Sequence, residues 1–195
     1  DNVDPGPFTA KGLFYSIEQA IQTHFSENLL GKRIAIQGAG SVGKRLAEYL
    51  ASSGAHVLIS DIDRSKLTDI DNHNITCVDD AFSVECDLFS PCAVGAIFTK
   101  DSIRNLKCKI IAGGANNQLL DTSIAENLFK KGIVYIPDTL INSGGVIGLT
   151  KDYLKRDDTE TEQALRDIAN RVKDLMIESQ ESSISIYQAL NNRSL

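Results

Sequence analysis

The sequence predicts an α/β fold, namely a doubly wound Rossmann fold with a mainly parallel sheet, flanking helices and a C-terminal helical extension. Three observations predict it. Strand and helix patterns alternate along most of the chain, a glycine-rich loop joins the first strand to the next helix, and the residues after 150 show only helical periodicity. We therefore expect residues 1–150 to form the Rossmann domain and residues 151–195 to form the extension, which packs either on this domain or on another domain or subunit.

The individual elements are predicted in the following order. An amphipathic helix over 13–25, with Thr9 in the N-cap region ahead of it, precedes the sheet. Strands are predicted over 33–37, 57–60, 87–90, 109–112 and 133–136, with a helix over 41–53. The region 63–80 is polar and poorly patterned, so we expect a short helix and a weak strand near 75–78. A long helical pattern from Thr159 to about Leu190 breaks near 181–185.

The loop after the first strand has the pattern G-x-G-x-x-G, formed by Gly38, Gly40 and Gly43. The first glycine permits a tight turn, the second lets a pyrophosphate approach the backbone, and the third lets the helix pack on the strand. Asp61 ends the second strand, where a carboxylate binds the ribose hydroxyls of NAD and repels the extra phosphate of NADP. The alternative is a purely structural glycine turn, with Asp61 only capping the turn that follows its strand.

The motif therefore predicts a binding site for the cofactor NAD. Its predicted residues are Gly38, Ala39, Gly40, Ser41, Val42, Gly43, Asp61, Ile62 and Arg64.

Small and polar residues follow three of the later strands. Cys92 and Ala93 come after the strand 87–90, Asn116 and Asn117 come after 109–112, and the segment 142–145 comes after 133–136. Because ligands of open α/β sheets bind beyond the carboxyl ends of the strands, we expect these positions to line one site.

Composition excludes several other classes of function. The formal net charge of −6 and the absence of basic runs argue against a nucleic-acid partner. No apolar run reaches the ~18 residues of a membrane span, and the N-terminal sequence DNVDPGPF lacks the basic start and apolar core of a signal peptide. The four cysteines are irregularly spaced without a C-x-x-C pair, so we expect reduced thiols, no metal site and a cytoplasmic location.

Four motifs in order carry a resemblance to a known family. They are GKRIAIQGAGSVG (31–43), ECDLFSPCAVGAIF (85–98), IIAGGANNQL (110–119) and GIVYIPDTLINSGGVIG (132–148). Together they resemble the cofactor-binding half of the glutamate/leucine/phenylalanine/valine dehydrogenase superfamily, in its leucine, phenylalanine, valine and tryptophan branch. The resemblance implies reversible oxidative deamination of an apolar L-amino acid to its 2-oxo acid and ammonia, with hydride passing to NAD.

The resemblance also implies roles for individual residues around the nicotinamide. Thr9 and Asn116 match the family's nicotinamide contacts, and Ala93, next to Cys92, matches a position beside the nicotinamide ribose. The alternatives are that Thr9 only caps a helix and that Asn116 only caps a turn.

On the substrate side, Asn117 matches a position near the amino acid. Val146 and Leu149 match positions that line the pocket for its side chain. The alternatives are that Asn117 only caps a turn and that Val146 and Leu149 are core residues.

No catalytic residue is predicted in this chain. Family members keep the lysine and the acid that the chemistry needs on a separate N-terminal domain, which is therefore the expected partner in a homo-oligomeric enzyme. Lys11, Lys44 and Lys100 are expected to be solvated. The chain alone is expected to bind NAD without turnover.

Two other functions are compatible with the glycine loop. One is an NAD(H)-sensing regulatory Rossmann module, such as those that gate potassium transport, and the other is a structural or interaction role. The motifs S-P-C-A, A-N-N-Q and S-G-G-V-I argue against a sensor, in which no counterpart of them is expected.

Overall fold

A single parallel sheet forms the centre of the molecule, seen in a computed structural model that describes residues 4–93 and 95–193. Its described strands are β1 (Arg33–Gln37), β2 (His56–Ser60), β3 (Ile75–Cys77), β4 (Leu88–Pro91), β5 (Ile110–Ile111) and β6 (Val134–Tyr135). The sheet order is β3-β2-β1-β4-β5-β6 and every pairing is parallel. The predicted Rossmann fold is thereby confirmed. Residues 1–3, 94, 194 and 195 of the two predicted domains lie outside the described residues.

The strand order reverses at β1, which pairs with β2 on one side and β4 on the other. The carboxyl ends of β1, β2 and β4 therefore lie side by side, and the loops that leave them meet at one edge of the sheet. This is the crevice in which doubly wound folds bind ligands.

The helices lie on both faces of the sheet. They are α1 (Gly6–Phe25), α2 (Ser41–Ser52), α3 (Ser123–Lys130), α4 (Asp138–Ile141), α5 (Gly144–Leu149), α6 (Asp158–Ser182) and α7 (Ile186–Asn192). Two short 3-10 helices, Arg64–Leu67 and Ser102–Asn105, complete the described elements. The predicted short helix and weak strand between 63 and 80 are both present.

The start of α1 is a correction to the sequence prediction. The helix begins at Gly6 rather than near residue 13, and Thr9 lies inside it instead of capping it. The hydroxyl of Thr9 donates to the carbonyl of Pro5 at 3.0 Å. Gly6 and Pro7 suggest a loop, but proline is well tolerated in the first turn of a helix, where its missing N–H has no partner to lose.

Alternate side chains of the strands enter two apolar cores. Ile34 and Ile36 pack with α1, α2 and α6 in the larger core, and Ala35 faces the other core with Phe89 and Ile111. A parallel strand buried on both faces reads as a continuous apolar run, which is why β1 was readily predicted.

The C-terminal helices pack onto the rest of the chain. Leu165, Ile168 and Val172 of α6 enter the larger core beside α1. Asp157 and Glu160 form a capping box at the start of α6, and Ser183 ends it in the left-handed conformation. The predicted break between two helices near 181–185 is confirmed.

Candidate functional site

The three glycines of the loop after β1 are held by different contacts. Gly38 has φ +107°, and a Cβ there would lie 2.8 Å from the backbone nitrogen of Ala93. A Cβ on Gly43 would lie 1.9 Å from the carbonyl oxygen of Gly38, so the helix can pack this closely only without a side chain. Gly40 differs from both, because a Cβ on it would meet no atom within 4 Å. Close packing therefore explains Gly38 and Gly43 but does not explain Gly40.

The N-terminus of α2 opens into the space beside Gly40. Gly40 is the N-cap and no side chain caps the helix, so N–H groups of its first turn remain available. Ser41 is exposed, and Val42 packs against Gly114, with its Cγ1 3.1 Å from where a Cβ of Gly114 would stand. An uncapped helix N-terminus with a positive dipole end suits an anionic group such as a diphosphate.

Asp61 lies at the end of β2, and its carboxylate is bound to the glycine loop. Its Oδ2 accepts from the N–H of Ala39 at 2.8 Å and its Oδ1 accepts from the N–H of Asp63 at 2.9 Å, with the side chain 6% exposed. Burial acts to raise its pKa, but these two hydrogen bonds and Lys66, 3.4 Å away, lower the pKa below its usual value. The carboxylate is therefore charged at neutral pH and retains lone pairs for further hydrogen bonds.

The residues after Asp61 are more exposed than it is. Ile62 is fully exposed, and Arg64 pairs with Asp79 at 2.6 Å. The cation near Asp61 is Lys66. Sequence reasoning identified Asp61 but did not identify Lys66. The 3-10 helix Arg64–Leu67 brings Lys66 back toward Asp61. The sequence pattern predicts a short helix in this region but does not indicate this contact.

Two asparagine side chains meet at the carboxyl ends of β5 and β6. The amide nitrogen of Asn142 donates to Oδ1 of Asn116 at 3.0 Å and to the carbonyl of Gly114 at 3.1 Å. The other atom of this amide, Oδ1 of Asn142, is buried and accepts no hydrogen bond from any described residue. A buried unsatisfied acceptor is costly in a folded protein, so this oxygen is available for a ligand that donates.

The turn that carries Asn116 and Asn117 is held by hydrogen bonds to Asp138 and from Gln118. Asn117 has φ +53°, and its N–H donates to Oδ2 of Asp138 at 2.8 Å. The buried Gln118 donates to the carbonyls of Gly113 and Ala115. Both Asn116 and Asn117 are exposed toward the crevice edge, so the turn is stabilised mainly by the other residues.

Glycines also set the position of α5 against α1. A Cβ on Gly144 would lie 2.7 Å from the carbonyl of Phe8, and a Cβ on Gly145 would lie 2.8 Å from the hydroxyl of Thr9. Val146 and Leu149 are left 62% and 54% exposed, so the alternative that they are core residues is wrong.

Cys92 and Ala93 follow β4 and border the loop. The N–H of Cys92 donates to the carbonyl of Gln37 at 2.7 Å, which joins the ends of β4 and β1. Burial raises the pKa of the Cys92 thiol, and its side chain packs against the larger core. Ala93 is exposed beside Gly38.

Two lysines predicted to be solvated are in fact paired. Lys11 lies 2.6 Å from Glu162, and Lys44 lies 2.5 Å from Asp69, whereas Lys100 is exposed. Within residues 4–93 and 95–193, no group of three His, Cys, Asp or Glu side chains could hold a metal ion. No helix in the described part of the chain combines the length and hydropathy that a transmembrane helix needs.

Comparison with known proteins decides the family. The family model for glutamate/leucine/phenylalanine/valine dehydrogenase matches residues 6–65 and 59–193, which is nearly the whole chain. The chain belongs to this family. This dehydrogenase family membership explains why four ordered motifs occur together in the crevice, and it disfavours the alternative of a regulatory sensor.

Individual members of the family are similar over most of this chain. Leucine dehydrogenase of Bacillus subtilis is 34% identical over 190 residues, which are 95% of this chain and 52% of that protein. Phenylalanine dehydrogenase of Lysinibacillus sphaericus is 42% identical over 148 residues, or 71% of this chain and 39% of that protein. The chain thus spans about half the length of these relatives or less.

The fold is shared with solved structures of the family. The crystal structure of L-tryptophan dehydrogenase from Nostoc punctiforme has a TM-score of 0.92 and 31% identity, and the match covers 98% of this chain and 60% of that one. A hetero-hexameric glutamate dehydrogenase from Thermus thermophilus, at 17% identity and a TM-score of 0.72, shares the fold.

Proposed function

We propose that this chain is the NAD-binding part of an L-amino acid dehydrogenase, an enzyme that reversibly deaminates an apolar L-amino acid to its 2-oxo acid and ammonia. The observation that carries the proposal is the buried, unsatisfied Oδ1 of Asn142 at the same sheet edge as the uncapped N-terminus of α2. Val42 of α2 packs on Gly114, whose carbonyl in turn accepts from Asn142. One edge of the sheet therefore presents a site for an anionic group next to an acceptor for an amide.

The residues present fit a dinucleotide. The N–H groups of the first turn of α2 and the open space beside Gly40 suit its diphosphate. The charged carboxylate of Asp61 suits ribose hydroxyls, and the repulsion between this charge and a second phosphate favours NAD over NADP.

The nicotinamide end fits the other half of the edge. Oδ1 of Asn142, beside Asn116, can accept from a carboxamide N–H. Thr9, Cys92 and Ala93 are proposed to contact the same end of the cofactor. When bound, the nicotinamide ring supplies the hydride acceptor for amino acid oxidation. The contribution of this chain is to bind and orient the ring, because the Asn116–Asn142 hydrogen bond fixes which atom of each amide faces the ligand.

The substrate contacts are proposed for the exposed apolar residues of α5. Val146 and Leu149 stand out from the helix because Gly144 and Gly145 turn its other side against α1. Burying them against an apolar amino acid side chain would contribute free energy in proportion to the area removed from water. Asn117, on the exposed turn, is proposed to lie near the polar end of the substrate.

The proton-transfer groups are proposed to lie in the part of the relatives' length that this chain does not cover. Of the lysines near the crevice, Lys11 is held by Glu162 and Lys44 by Asp69. We therefore infer that the chain binds cofactor but does not turn over alone.

A titration and an assay test the two halves of the proposal. NADH fluorescence should change saturably with the purified chain, and leucine, phenylalanine, valine and tryptophan should give no NADH formation at alkaline pH. The full-length protein from the same source should oxidise at least one of them. Absence of NADH binding would overturn the cofactor assignment, and turnover by the chain alone would overturn the division of roles.

A further inference from the structure

The opposite edge of the sheet, where the strands begin, contains a separate cavity of about 810 Å³. Four basic side chains line it: Arg33, Lys107, Lys109 and Lys131. Glu85 and Asp87 also line it, so basic groups outnumber acidic ones. The same cavity is lined by two thiols, Cys86 and Cys108. Neither the fold nor the proposed dehydrogenase site explains this combination.

The two cysteines precede neighbouring strands, Cys86 two residues before β4 and Cys108 two residues before β5. Leu88 of β4 pairs with Ile110 of β5. Before the two strands begin, the N–H of Cys86 donates to the carbonyl of Lys107 at 3.2 Å. In a parallel ladder this bond places Cys86 beside Cys108. The strands that follow lie ~4.8 Å apart, which brings the two segments that precede them within reach of the Cα separation of ~4.4–6.8 Å that a disulfide spans.

The surroundings of the two thiols are also shared. Both side chains are nearly buried, at 8% and 6% exposure, and both belong to the apolar core that contains Phe89. The remaining cysteines are differently placed, because Cys77 is exposed on β3 at the sheet edge and Cys92 lies at the carboxyl end of β4.

We propose that Cys86 and Cys108 are a redox-active dithiol that a small anionic disulfide of the glutathione class oxidises to an intramolecular disulfide. The basic side chains around the cavity attract such an oxidant and favour the thiolate that must attack it. The site is distinct from the nucleotide crevice, because it lies at the amino ends of the strands.

The reaction balances without any further reactant. One cysteine loses its proton to solvent and its sulfur attacks a sulfur of the small disulfide, which forms a mixed disulfide and releases one small thiol. The second cysteine then loses its proton and attacks the protein sulfur, which releases the second small thiol. Two protein thiols are oxidised, and one small disulfide is reduced to two thiols.

Cys108 is the better first nucleophile. Burial raises its pKa to about 11, and the nearby Lys131 and Lys109 oppose that rise. Burial raises the pKa of Cys86 further, to about 12, and the neighbouring Cys108 adds to the rise. Both thiols are therefore largely protonated at pH 7, so the exchange with the small disulfide is expected to be slow.

The cross-link would enclose the segment 87–107. This segment includes β4, Ala93 at the nucleotide crevice and the 3-10 helix Ser102–Asn105. Because a disulfide restricts the unfolded chain, oxidation should raise the melting temperature, by roughly 10 °C for a loop of this size.

The test incubates the native chain with glutathione disulfide, blocks the remaining thiols, and maps peptides by mass spectrometry without reduction. The expected result is a linked pair of peptides containing Cys86 and Cys108, together with the rise in melting temperature. Cys77→Ser should preserve both results, and Cys86→Ser and Cys108→Ser should each abolish the rise. If either of the last two variants fails to fold, the peptide map of the chain without substitutions still shows whether Cys86 and Cys108 become cross-linked.

A second arm tests the basic cavity. Cystamine, a cationic disulfide, should form the cross-link several-fold more slowly than glutathione disulfide at low salt, and the difference should shrink at 1 M salt. Persistent free thiols or only a mixed disulfide at Cys86 and Cys108 would overturn the dithiol. Equal rates for the two reagents would overturn the role of the basic side chains.

Discussion

The main-chain N–H of Ala39 donates a 2.8 Å hydrogen bond to Oδ2 of Asp61. This bond ties the residue after the first glycine of the loop to the carboxyl end of β2, so one buried carboxylate both shapes the loop and faces the crevice. Asp61 thus links the stability of the loop to the nucleotide affinity that we propose.

The stability of the fold should depend on the charge of Asp61. Its pKa is below the unfolded value of about 3.9, so its contribution is complete above that pH and is lost as the pH falls through the lower folded pKa. Asp61→Asn should therefore lower the free energy of unfolding at pH 7 by about 2 kcal/mol. Urea unfolding at pH 7 and pH 3 measures the free energy of unfolding of both proteins. The difference between the wild type and Asp61→Asn should be smaller at pH 3 than at pH 7. A constant difference would contradict the prediction.

Cofactor selection should depend on Asp61 and Lys66 together. Asp61→Ser should weaken NADH binding about tenfold, because a hydrogen bond to a charged group is lost. The same change should improve NADPH binding, because the charge that repels its phosphate is removed and Lys66 remains 3.4 Å from the former carboxylate position. Adding Lys66→Ala should remove the NADPH gain. Fluorescence titrations with both nucleotides at fixed salt measure these changes.

Arg64→Ala is the matched control for this series. Arg64 is engaged by Asp79 at 2.6 Å, and both side chains are highly exposed. Its removal in the Asp61→Ser background should change the NADPH affinity less than Lys66→Ala does. An unchanged ratio of NADH to NADPH affinity in a folded Asp61→Ser protein would show that Asp61 is not the selecting residue.

The fold could be predicted from sequence because its signals are local. The apolar run of β1 and the three glycines fixed the first βαβ unit, and the strand exits predicted which loops meet. The start of α1 was missed because Gly6 and Pro7 look like a loop, although proline fits the first turn. Lys66 and the unsatisfied oxygen of Asn142 were missed because they depend on how side chains meet across elements, which no local pattern reports.

The exposed residues of α5 should affect substrate preference without affecting stability. Val146→Ala and Leu149→Ala remove side chains that are 62% and 54% exposed, so the melting temperature should change by no more than about 1 °C. In the full-length enzyme each change should widen the pocket and raise the ratio of kcat/KM for tryptophan over valine roughly tenfold. Ile141→Val, at a fully buried position, is the control. It should cost about 1 kcal/mol of stability and leave the ratio unchanged.

Gly40 and Gly43 should respond oppositely to the same substitution. Gly43→Ala places a methyl group 1.9 Å from the carbonyl of Gly38, so the protein should be strongly destabilised or fail to fold. Gly40 has φ −81°, which alanine adopts freely, and a Cβ there meets no atom within 4 Å. Gly40→Ala should therefore change the melting temperature by only a few degrees.

Nucleotide binding distinguishes the two glycines further, because only at Gly40 does the added methyl group project into the open space proposed for the diphosphate. Gly40→Ala should weaken NADH at least tenfold, about 1.4 kcal/mol at 25 °C, while the protein remains folded. The binding of ADP should weaken by a similar factor. The binding of adenosine should not weaken, because adenosine carries no phosphate to meet the methyl group. Titration of the three ligands into the wild type and Gly40→Ala, with melting curves alongside, measures the difference. A folded variant with unchanged NADH affinity would mean that the diphosphate does not lie against Gly40.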